Sequence, residues 1–195
     1  MAINDVRFKG SYKEYKRIGE NTYEFILYVK RKSETHDQII CKMQSDTESM
    51  EYFKYMQVEI TGKICSTSKF VKGRNRLEIF IHVDKIEFYR GEDFYKKNNL
   101  ISIEGSIYKE IVFRKTKKGI RISDLMLEIN MPEGISYHIP CIAWEKAAKD
   151  IFNNFSINDY IKINGRLQSR EYPKRYADGT VEIRTVNEVS IVKYK

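Results

Sequence analysis

Basic and aromatic side chains are interleaved in two segments in the second half of this 195-residue chain. Residues 114–121 read Arg-Lys-Thr-Lys-Lys-Gly-Ile-Arg, and residues 170–179 read Arg-Glu-Tyr-Pro-Lys-Arg-Tyr-Ala-Asp-Gly. A single-stranded nucleic acid requires cations along its phosphates and flat rings under its bases, and each stacked base contributes about 1–3 kcal/mol. The two segments supply both, and the candidate contact residues are Arg114, Lys115, Lys117, Lys118, Arg121, Arg170, Tyr172, Lys174, Arg175 and Tyr176.

These segments also have ordinary structural interpretations. A run of charges such as residues 114–118 is usually a solvated turn. Asp178 and Gly179 form a pair typical of hairpin turns, so residues 170–179 are expected to form a hairpin loop. The first half has a related mixture at residues 68–76, where the candidate contact residues are Lys69, Phe70, Lys72, Arg74 and Arg76.

An internal repeat connects the two halves of the sequence. Four short matches occur in the same order, at offsets of 95, 100, 103 and 103 residues: 8–11 with 103–106, 40–41 with 140–141, 59–64 with 162–167, and 83–86 with 186–189. Four matches in register indicate a duplicated domain. The boundaries expected from this repeat are a diverged first copy over residues 1–90, a linker over 91–98, and a second copy over 99–195.

Most of each copy is predicted to be β-strand. Apolar residues alternate with charged ones at residues 23–29, 77–83 and 161–167, as in half-buried strands. Only two segments indicate a helix. One covers residues 46–56, where Ser45 and Glu48 have the spacing of a capping box.

The second helix is predicted over residues 144–152, where the apolar positions follow helical spacing. Each copy therefore has five strands, with one helix between the third and the fourth. This is the element order of an OB-fold, a five-stranded Greek-key barrel that binds oligonucleotides or oligosaccharides through its strand 2–3 face and two loops. The expected fold class is all-β, with two tandem OB-folds, and the basic segments fall in the 1–2 and 4–5 loops.

The second half resembles the bacterial single-stranded DNA-binding protein family over roughly residues 99–194. The most specific motif is Gly-Arg-Leu-Gln-Ser-Arg-Glu-Tyr at residues 165–172, and Ile-Pro-Cys-Ile-Ala-Trp at 139–144 leads into the helix. Residues 113–119 and 185–189 extend the match. The first half resembles the family only through the internal repeat.

The resemblance implies that Trp144 and Tyr172 stack on bases, and that His138 occupies a third stacking position. It also implies phosphate contacts for Arg114, Lys115, Arg121, Arg166 and Arg170. Core packing is the competing interpretation of Trp144, because it is the only tryptophan and buries a large apolar area. The family has an acidic C-terminal tail that recruits partners. Here residues 190–195 are basic, so recruitment by such a tail is not expected.

Composition excludes several other classes of protein. The chain carries 35 Lys and Arg against 27 Asp and Glu, a modest excess of +8 that fits a polyanionic partner without proving one. Three widely spaced cysteines exclude a disulfide scaffold, and His138 and Cys141 lack two further metal ligands nearby. No catalytic motif or signal peptide is present. We therefore expect a cytoplasmic, nucleoid-associated protein that is not an enzyme and needs no cofactor.

The sequence thus predicts binding of single-stranded DNA without strong sequence preference, in replication, recombination or repair. Since the resemblance implies four OB-folds per working unit, the simplest assembly is a homodimer. Two other functions stay open at this point. One is an OB-fold protein–protein scaffold in a replication or recombination complex, and the other is an RNA-binding OB module, which would recognise the 2′-hydroxyl.

Overall fold

A computed structural model describes residues 2–33, 35–71, 73–91, 93–132, 134–176 and 179–195, except for the side chains of Arg74, Tyr172 and Arg184. These residues are mostly β-strand. The elements in chain order are β1 (Asn4–Gly10), β2 (Tyr15–Arg17), β3 (Thr22–Lys30), β4 (His36–Gln44), α1 (Thr47–Phe53), β5 (Val58–Val71), β6 (Arg74–Phe88), β7 (Asn99–Ile107), β8 (Val112–Lys115), β9 (Arg121–Asn130), β10 (Ser136–Trp144), α2 (Glu145–Asn154), β11 (Tyr160–Arg175) and β12 (Val181–Tyr194).

The strands pair in largely the same way in both halves, although β7 also pairs with β9 in the second half, where the first half has an isolated bridge between Ser11 and Tyr28. The sheet order is β2-β3-β4-β6-β5-β1-β7-β11-β12-β10-β9-β8, so the second half lists its strands in the reverse order of the first. In each half one parallel pairing, β4 with β6 or β10 with β12, occurs among antiparallel ones. The all-β class is confirmed, and β2 and β8 are short edge strands in addition to the five expected per copy.

Alternating burial explains why these segments are strands. In β3 the side chains of Tyr23, Phe25, Leu27 and Val29 are buried, while the residues between them are more exposed. The predicted strands at 23–29, 77–83 and 161–167 lie within β3, β6 and β11, so all three are confirmed.

The two halves join through an antiparallel pairing of β1 with β7. The register pairs Asn4 with Ile103 and Phe8 with Asn99. Asn99 is the repeat equivalent of Asn4 and Ile103 that of Phe8, each 95 positions away, so exchanging the two halves gives the same set of pairs. The halves therefore meet about a local two-fold axis. This continuous ladder makes the junction a structural part of the sheet.

Matching asparagines fasten each side of this junction. Asn4 exchanges two hydrogen bonds with the backbone of Ile64, with its Nδ2 2.9 Å from the carbonyl oxygen and its Oδ1 3.0 Å from the amide nitrogen. Asn99 makes the same pair with Leu167, at 2.6 and 2.8 Å. Asn4 and Asn99 are repeat equivalents, as are Ile64 and Leu167. The residues matched by the predicted repeat thus make equivalent contacts on the two sides of the junction.

Two repeat-equivalent glycines allow the barrel strands to cross closely. The register shifts at Thr61/Gly62 in β5 and at Asn164/Gly165 in β11. A Cβ on Gly62 would lie 2.0 Å from the His82 carbonyl oxygen, and a Cβ on Gly165 would lie 2.4 Å from that of Ser190. Neither position has room for a side chain.

The helix predictions are correct in location and partly wrong in detail. The residue that caps α1 is Asp46, whose carboxylate accepts a hydrogen bond from the Ser49 amide at 2.6 Å, so the predicted Ser45–Glu48 capping box is wrong. Asp46 is the better cap because its carboxylate carries a full negative charge beside the helix N-terminus. α2 begins one residue after Trp144, which is the N-cap residue and makes no capping side-chain hydrogen bond.

The two predicted 4–5 loops are mostly strand. β11 pairs with β12 as far as Arg175 opposite Val181, and β5 pairs with β6 as far as Val71 opposite Arg74. The β5–β6 and β11–β12 segments are therefore long hairpins with short turns, because their backbones stay paired almost to the tip. Asp178, predicted in one turn, lies outside the described residues.

Residues 89–98 connect the halves. Phe94 in this segment is buried, and the Lys9 ammonium donates to the Tyr89 hydroxyl at 2.7 Å. The segment lies between β6 and β7, where the linker is predicted. The division into separate copies at 1–90 and 99–195 stays a prediction.

Candidate nucleic-acid interface

A cleft of about 530 Å³ lies between the two halves and contains the only tryptophan on its wall. The second half contributes Trp144, Arg170 and neighbouring residues of β11. The first half contributes Arg31, in the turn after β3, and His36, the first residue of β4. We call this space the tryptophan cleft. Its wall combines an aromatic ring with three basic side chains, those of Arg31, His36 and Arg170, and it also includes Glu171.

The indole of Trp144 is half-buried and fixed in orientation. Its Nε1–H donates to the Ser190 hydroxyl on β12 at 3.0 Å. A buried indole N–H usually requires a hydrogen-bond partner. The bond to Ser190 satisfies the N–H, and Trp144 still lines the cleft. The arrangement combines the two interpretations of Trp144, since the ring is both packed and accessible from the cleft.

A second cleft of about 530 Å³ continues from the first, because Gln38 and Thr185 line both. Its lining is more apolar than polar and comes from both halves, with more residues from the first half than from the second. Four of its residues form two repeat-equivalent pairs, Ile26 with Met126 and Ile40 with Pro140. We call the two clefts together the junction groove. It runs along the strand faces that OB-folds use for oligonucleotides.

The far end of the groove is closed by contacts between the two long hairpins. Arg76 of β6 donates from Nη2 to both carboxylate oxygens of Glu182 on β12, at 3.1 and 3.2 Å. The Tyr176 hydroxyl donates to the same carboxylate. The candidate contact residues Arg76 and Tyr176, predicted from different halves, are thus brought together, and a carboxylate lies between them.

Four other candidate cations are also ion-paired. The pairs are Lys69 with Glu78 at 2.5 Å, Arg114 with Asp124 at 2.6 Å, Arg121 with Glu145 at 3.1 Å, and Arg170 with Glu188 at 3.4 Å. The four cationic side chains are 44–47% exposed, and three of the carboxylate partners are 21–51% exposed, but Glu188 is buried at 8%. Exposed pairs are worth about 0–1 kcal/mol, so a phosphate can compete at low cost for Lys69, Arg114 and Arg121. Release of Arg170 would cost more, because the buried Glu188 carboxylate would lose a cationic partner.

Most of the other predicted cations have exposed side chains. Lys115 ends β8, and Lys117 and Lys118 form the exposed turn between β8 and β9. Arg175, at the end of β11, is exposed, and Lys174 beside it is half-buried. These positions suit the electrostatic capture of a strand more than its precise placement.

Among the described candidates, Trp144 and Arg170 line the tryptophan cleft, whereas Arg166 and His138 do not. Arg166 lines a different cleft, of about 930 Å³, on the central strands β5, β1, β7 and β11. The ring of His138 contacts Tyr108, with centroids 4.2 Å apart, and its Nε2 lies 3.4 Å from Glu128 Oε1. That nitrogen has no hydrogen-bond partner of good geometry. His138 is therefore already covered by neighbouring side chains.

Phe70, near the tip of the β5–β6 hairpin, is 74% exposed. An aromatic ring this exposed is available for stacking. The predictions for Lys72 and for the side chains of Arg74 and Tyr172 lie outside the described residues. The backbone of Tyr172 is paired in β11, opposite Arg184.

Arg31 and His36 are not among the contact residues predicted from the sequence. Arg31 belongs to a basic stretch at residues 30–32, which was the available signal. Nothing in the sequence indicates that this turn faces Trp144, which is more than 100 residues away. That juxtaposition depends on the junction between the halves.

The described residues include no group of three or more His, Cys, Asp or Glu side chains that could hold a metal ion. Burial raises the pKa of the Cys41 and Cys141 thiols, and both thiols donate to backbone carbonyls two residues earlier. These repeat-equivalent cysteines pack as small apolar residues. Over the same described part of the chain, no helix is long and apolar enough to span a membrane.

Comparison with known proteins supports the fold. No family model matches the sequence, and no curated protein matches it. Two solved structures of the single-stranded DNA-binding protein from Thermus aquaticus, the wild type and a deletion mutant, superimpose with TM-scores of 0.75 and 0.71. Each is 14% identical, and the alignments cover 100% of this chain and 92% and 94% of those chains. The resemblance noted in the sequence is therefore confirmed as a shared OB-fold architecture.

Proposed function

We propose that this protein binds single-stranded DNA without strong sequence preference. The observation that carries the proposal is the position of Trp144 on the wall of a groove flanked by arginine and histidine side chains. The wall provides a flat surface for a base and donors for the neighbouring phosphates, which are the two requirements for binding a single strand. The Thermus aquaticus structures, which share the fold over their length, are of a single-stranded DNA-binding protein.

Binding follows from charge and stacking together. The exposed lysines at 115, 117 and 118 attract the strand, and its phosphates release counterions as they approach. Phosphates then compete with Asp124, Glu145 and Glu188 for the arginines paired with them. Bases lie on Trp144 and on the apolar side chains that line the junction groove. Since every base has a flat face, this mode of binding tolerates any sequence.

This chemistry suits a protein that covers single strands exposed in replication, recombination or repair. A protein with this role would be found with the nucleoid in the cytoplasm. No catalytic step is part of the proposal, and no cofactor is needed for it.

We also propose that two chains associate to give four OB-folds. The central strands present the 930 Å³ cleft on a face whose lining includes Arg7, Lys63, Arg166 and Val192. Because this face lies at the local two-fold axis, it presents repeat-equivalent residues, such as Lys63 and Arg166, to a second copy on both sides of that axis. Val192 is 67% exposed there.

Light scattering of the purified protein tests this assembly. We expect twice the chain mass for the wild type and the single-chain mass for Val192→Glu, which adds a charge to the face. Val181→Glu, at an exposed valine on the β11–β12 hairpin, is the matched control and should keep the dimer mass. A wild-type mass of one chain would contradict the dimer.

The binding function is tested by anisotropy of labelled oligonucleotides at several salt concentrations. We expect tight binding of oligo(dT), weak binding of a duplex, and a steep loss of affinity as salt rises. Stronger binding of the RNA oligonucleotide of equal sequence would assign the protein to RNA instead. No binding of any nucleic acid at low salt would refute the proposal and favour the scaffold function.

A further inference from the structure

The tryptophan cleft is built from both halves of the chain, and this affects what the first half can do. Arg31 and His36 lie on the wall provided by the first half, and Trp144 and Arg170 on that of the second. A nucleotide that stacks on Trp144 in this space would therefore meet side chains of both halves. The cleft volume of about 530 Å³ falls in the usual range for small-ligand sites.

Arg31 is held in place while part of its guanidinium stays free of protein contacts. Its Nε donates to Asp37 Oδ1 at 2.9 Å, and its Nη2 donates to the same oxygen and to the Ser169 carbonyl. Within the described part of the chain, these contacts use Nε and Nη2, so the two N–H groups of Nη1 are available to an anion. The side chain is 34% exposed. Arg31 is thus a fixed donor at the edge of the cleft.

The local two-fold axis provides an internal comparison. Backbone contacts across the junction are the same on both sides: the Gln38 amide donates to the Ser169 hydroxyl, and the equivalent His138 amide donates to the equivalent Ser66 hydroxyl. The junction itself is therefore symmetric.

The side chains around the tryptophan cleft break this symmetry. The repeat equivalents of its four key residues are less basic and less aromatic: Met131 for Arg31, Ser136 for His36, Gln44 for Trp144, and Thr67 for Arg170. Met131 packs against the hydrophobic core. Three cationic or imidazole donors and the only tryptophan are therefore concentrated on one of two equivalent sides.

From this asymmetry we infer that the tryptophan cleft is a composite nucleotide site, in which Arg31 and His36 of the first half hold the phosphate of a base stacked on Trp144. The inference rests on the proposed function and adds the first half to the binding site. The first half then contributes through its β3–β4 turn and the start of β4.

Two variants test the inference by anisotropy with oligo(dT). His36→Glu places a carboxylate on the cleft wall at an exposed position outside the core, and we expect it to lower affinity about tenfold, the loss equivalent to one charge-assisted hydrogen bond. Arg31→Gln should lower affinity by a similar factor and reduce the salt slope by about 0.7, the value for one phosphate on a single strand.

Matched controls use the neighbouring residue Lys32, which is exposed on the same turn and does not line the cleft. Lys32→Gln removes the same charge as Arg31→Gln, and Lys32→Glu makes a change in charge at least as large as that of His36→Glu. Both variants should stay within about twofold of the wild-type affinity, because the change lies away from the bound strand. Thermal unfolding of each variant reports whether the junction is intact. Wild-type affinity in His36→Glu overturns the composite site, whatever Arg31→Gln does.

Failure of the inference is distinguishable from failure of the proposed function. If the wild type binds oligo(dT) and Tyr172→Ala weakens it while His36→Glu does not, the second half binds DNA alone and only the inference is wrong. If the wild type binds no nucleic acid, both are wrong.

Discussion

In the proposed binding mode, the carboxylate of Glu182 opposes DNA binding at the far end of the junction groove, so removing its charge should strengthen binding. Glu182→Gln keeps the size of the side chain and an oxygen that accepts from Tyr176. It removes the charge that neutralises Arg76, which lies 3.1 and 3.2 Å from the two carboxylate oxygens. Both side chains are a little under one-third exposed, so their charges are screened by solvent. The substitution should leave the fold intact, because an exposed ion pair contributes about 0–1 kcal/mol.

The magnitude follows from the geometry of the pair. A phosphate bound to Arg76 would lie roughly 6–8 Å from the Glu182 carboxylate, and at an effective dielectric constant of about 40–80 their repulsion is about 0.5–1.4 kcal/mol. Its removal corresponds to about 2- to 10-fold tighter binding. The gain should disappear at high salt, since the Debye length falls to about 3 Å at 1 M.

Anisotropy titrations with oligo(dT) at low and high salt measure this effect. Glu20→Gln is the matched control, because it removes the same charge from an exposed loop before β3 and should change affinity much less. If Glu182→Gln binds as the wild type does, or more weakly, then Arg76 does not face the bound strand. The placement of the groove would then be wrong at that end.

Three further predictions concern stability, reactivity and charge. Gly62→Ala should destabilise the protein by about 1–3 kcal/mol in a denaturant titration, because its Cβ would lie 2.0 Å from the His82 carbonyl oxygen; an unchanged midpoint would contradict the close crossing. All three cysteine thiols are buried, so they should react slowly with a thiol reagent until the protein unfolds, and rapid labelling of the native protein would show that they are accessible. Lys117→Ala should reduce the salt slope of binding by about 0.7, whereas an unchanged slope would assign this lysine to solvent.

Local patterns in the sequence predict the strands correctly. The alternation at residues 23–29 requires only that one face of a strand is buried, and β3 has that burial pattern. The match of Gly62 with Gly165 reflects the same bulge in both halves. Such features depend on neighbours along the chain or on one shared backbone geometry, so they can be identified before the fold is known.

One local detail could not be predicted in this way. The capping of α1 by Asp46 depends on which of two adjacent polar residues adopts the extended backbone before the helix.

Contacts between distant residues could not be predicted either. The pairing of Arg76 with Glu182 joins residues more than 100 positions apart, so the sequence shows two charges but not their contact. The same holds for Arg31 beside Trp144, since each lies on a different half of the chain. The residue types of the proposed interface can therefore be predicted from the sequence, whereas the junction between the halves determines where those residues lie.

The fluorescence of Trp144 tests the central claim most directly, because it is the only tryptophan and lies on the wall of the proposed site. Oligo(dT) should be added at low salt with excitation selective for tryptophan. We predict saturable quenching that is reversed by salt, together with protection of the indole from iodide once DNA is bound. Binding detected by anisotropy with no change in either signal would show that the strand does not enter the tryptophan cleft.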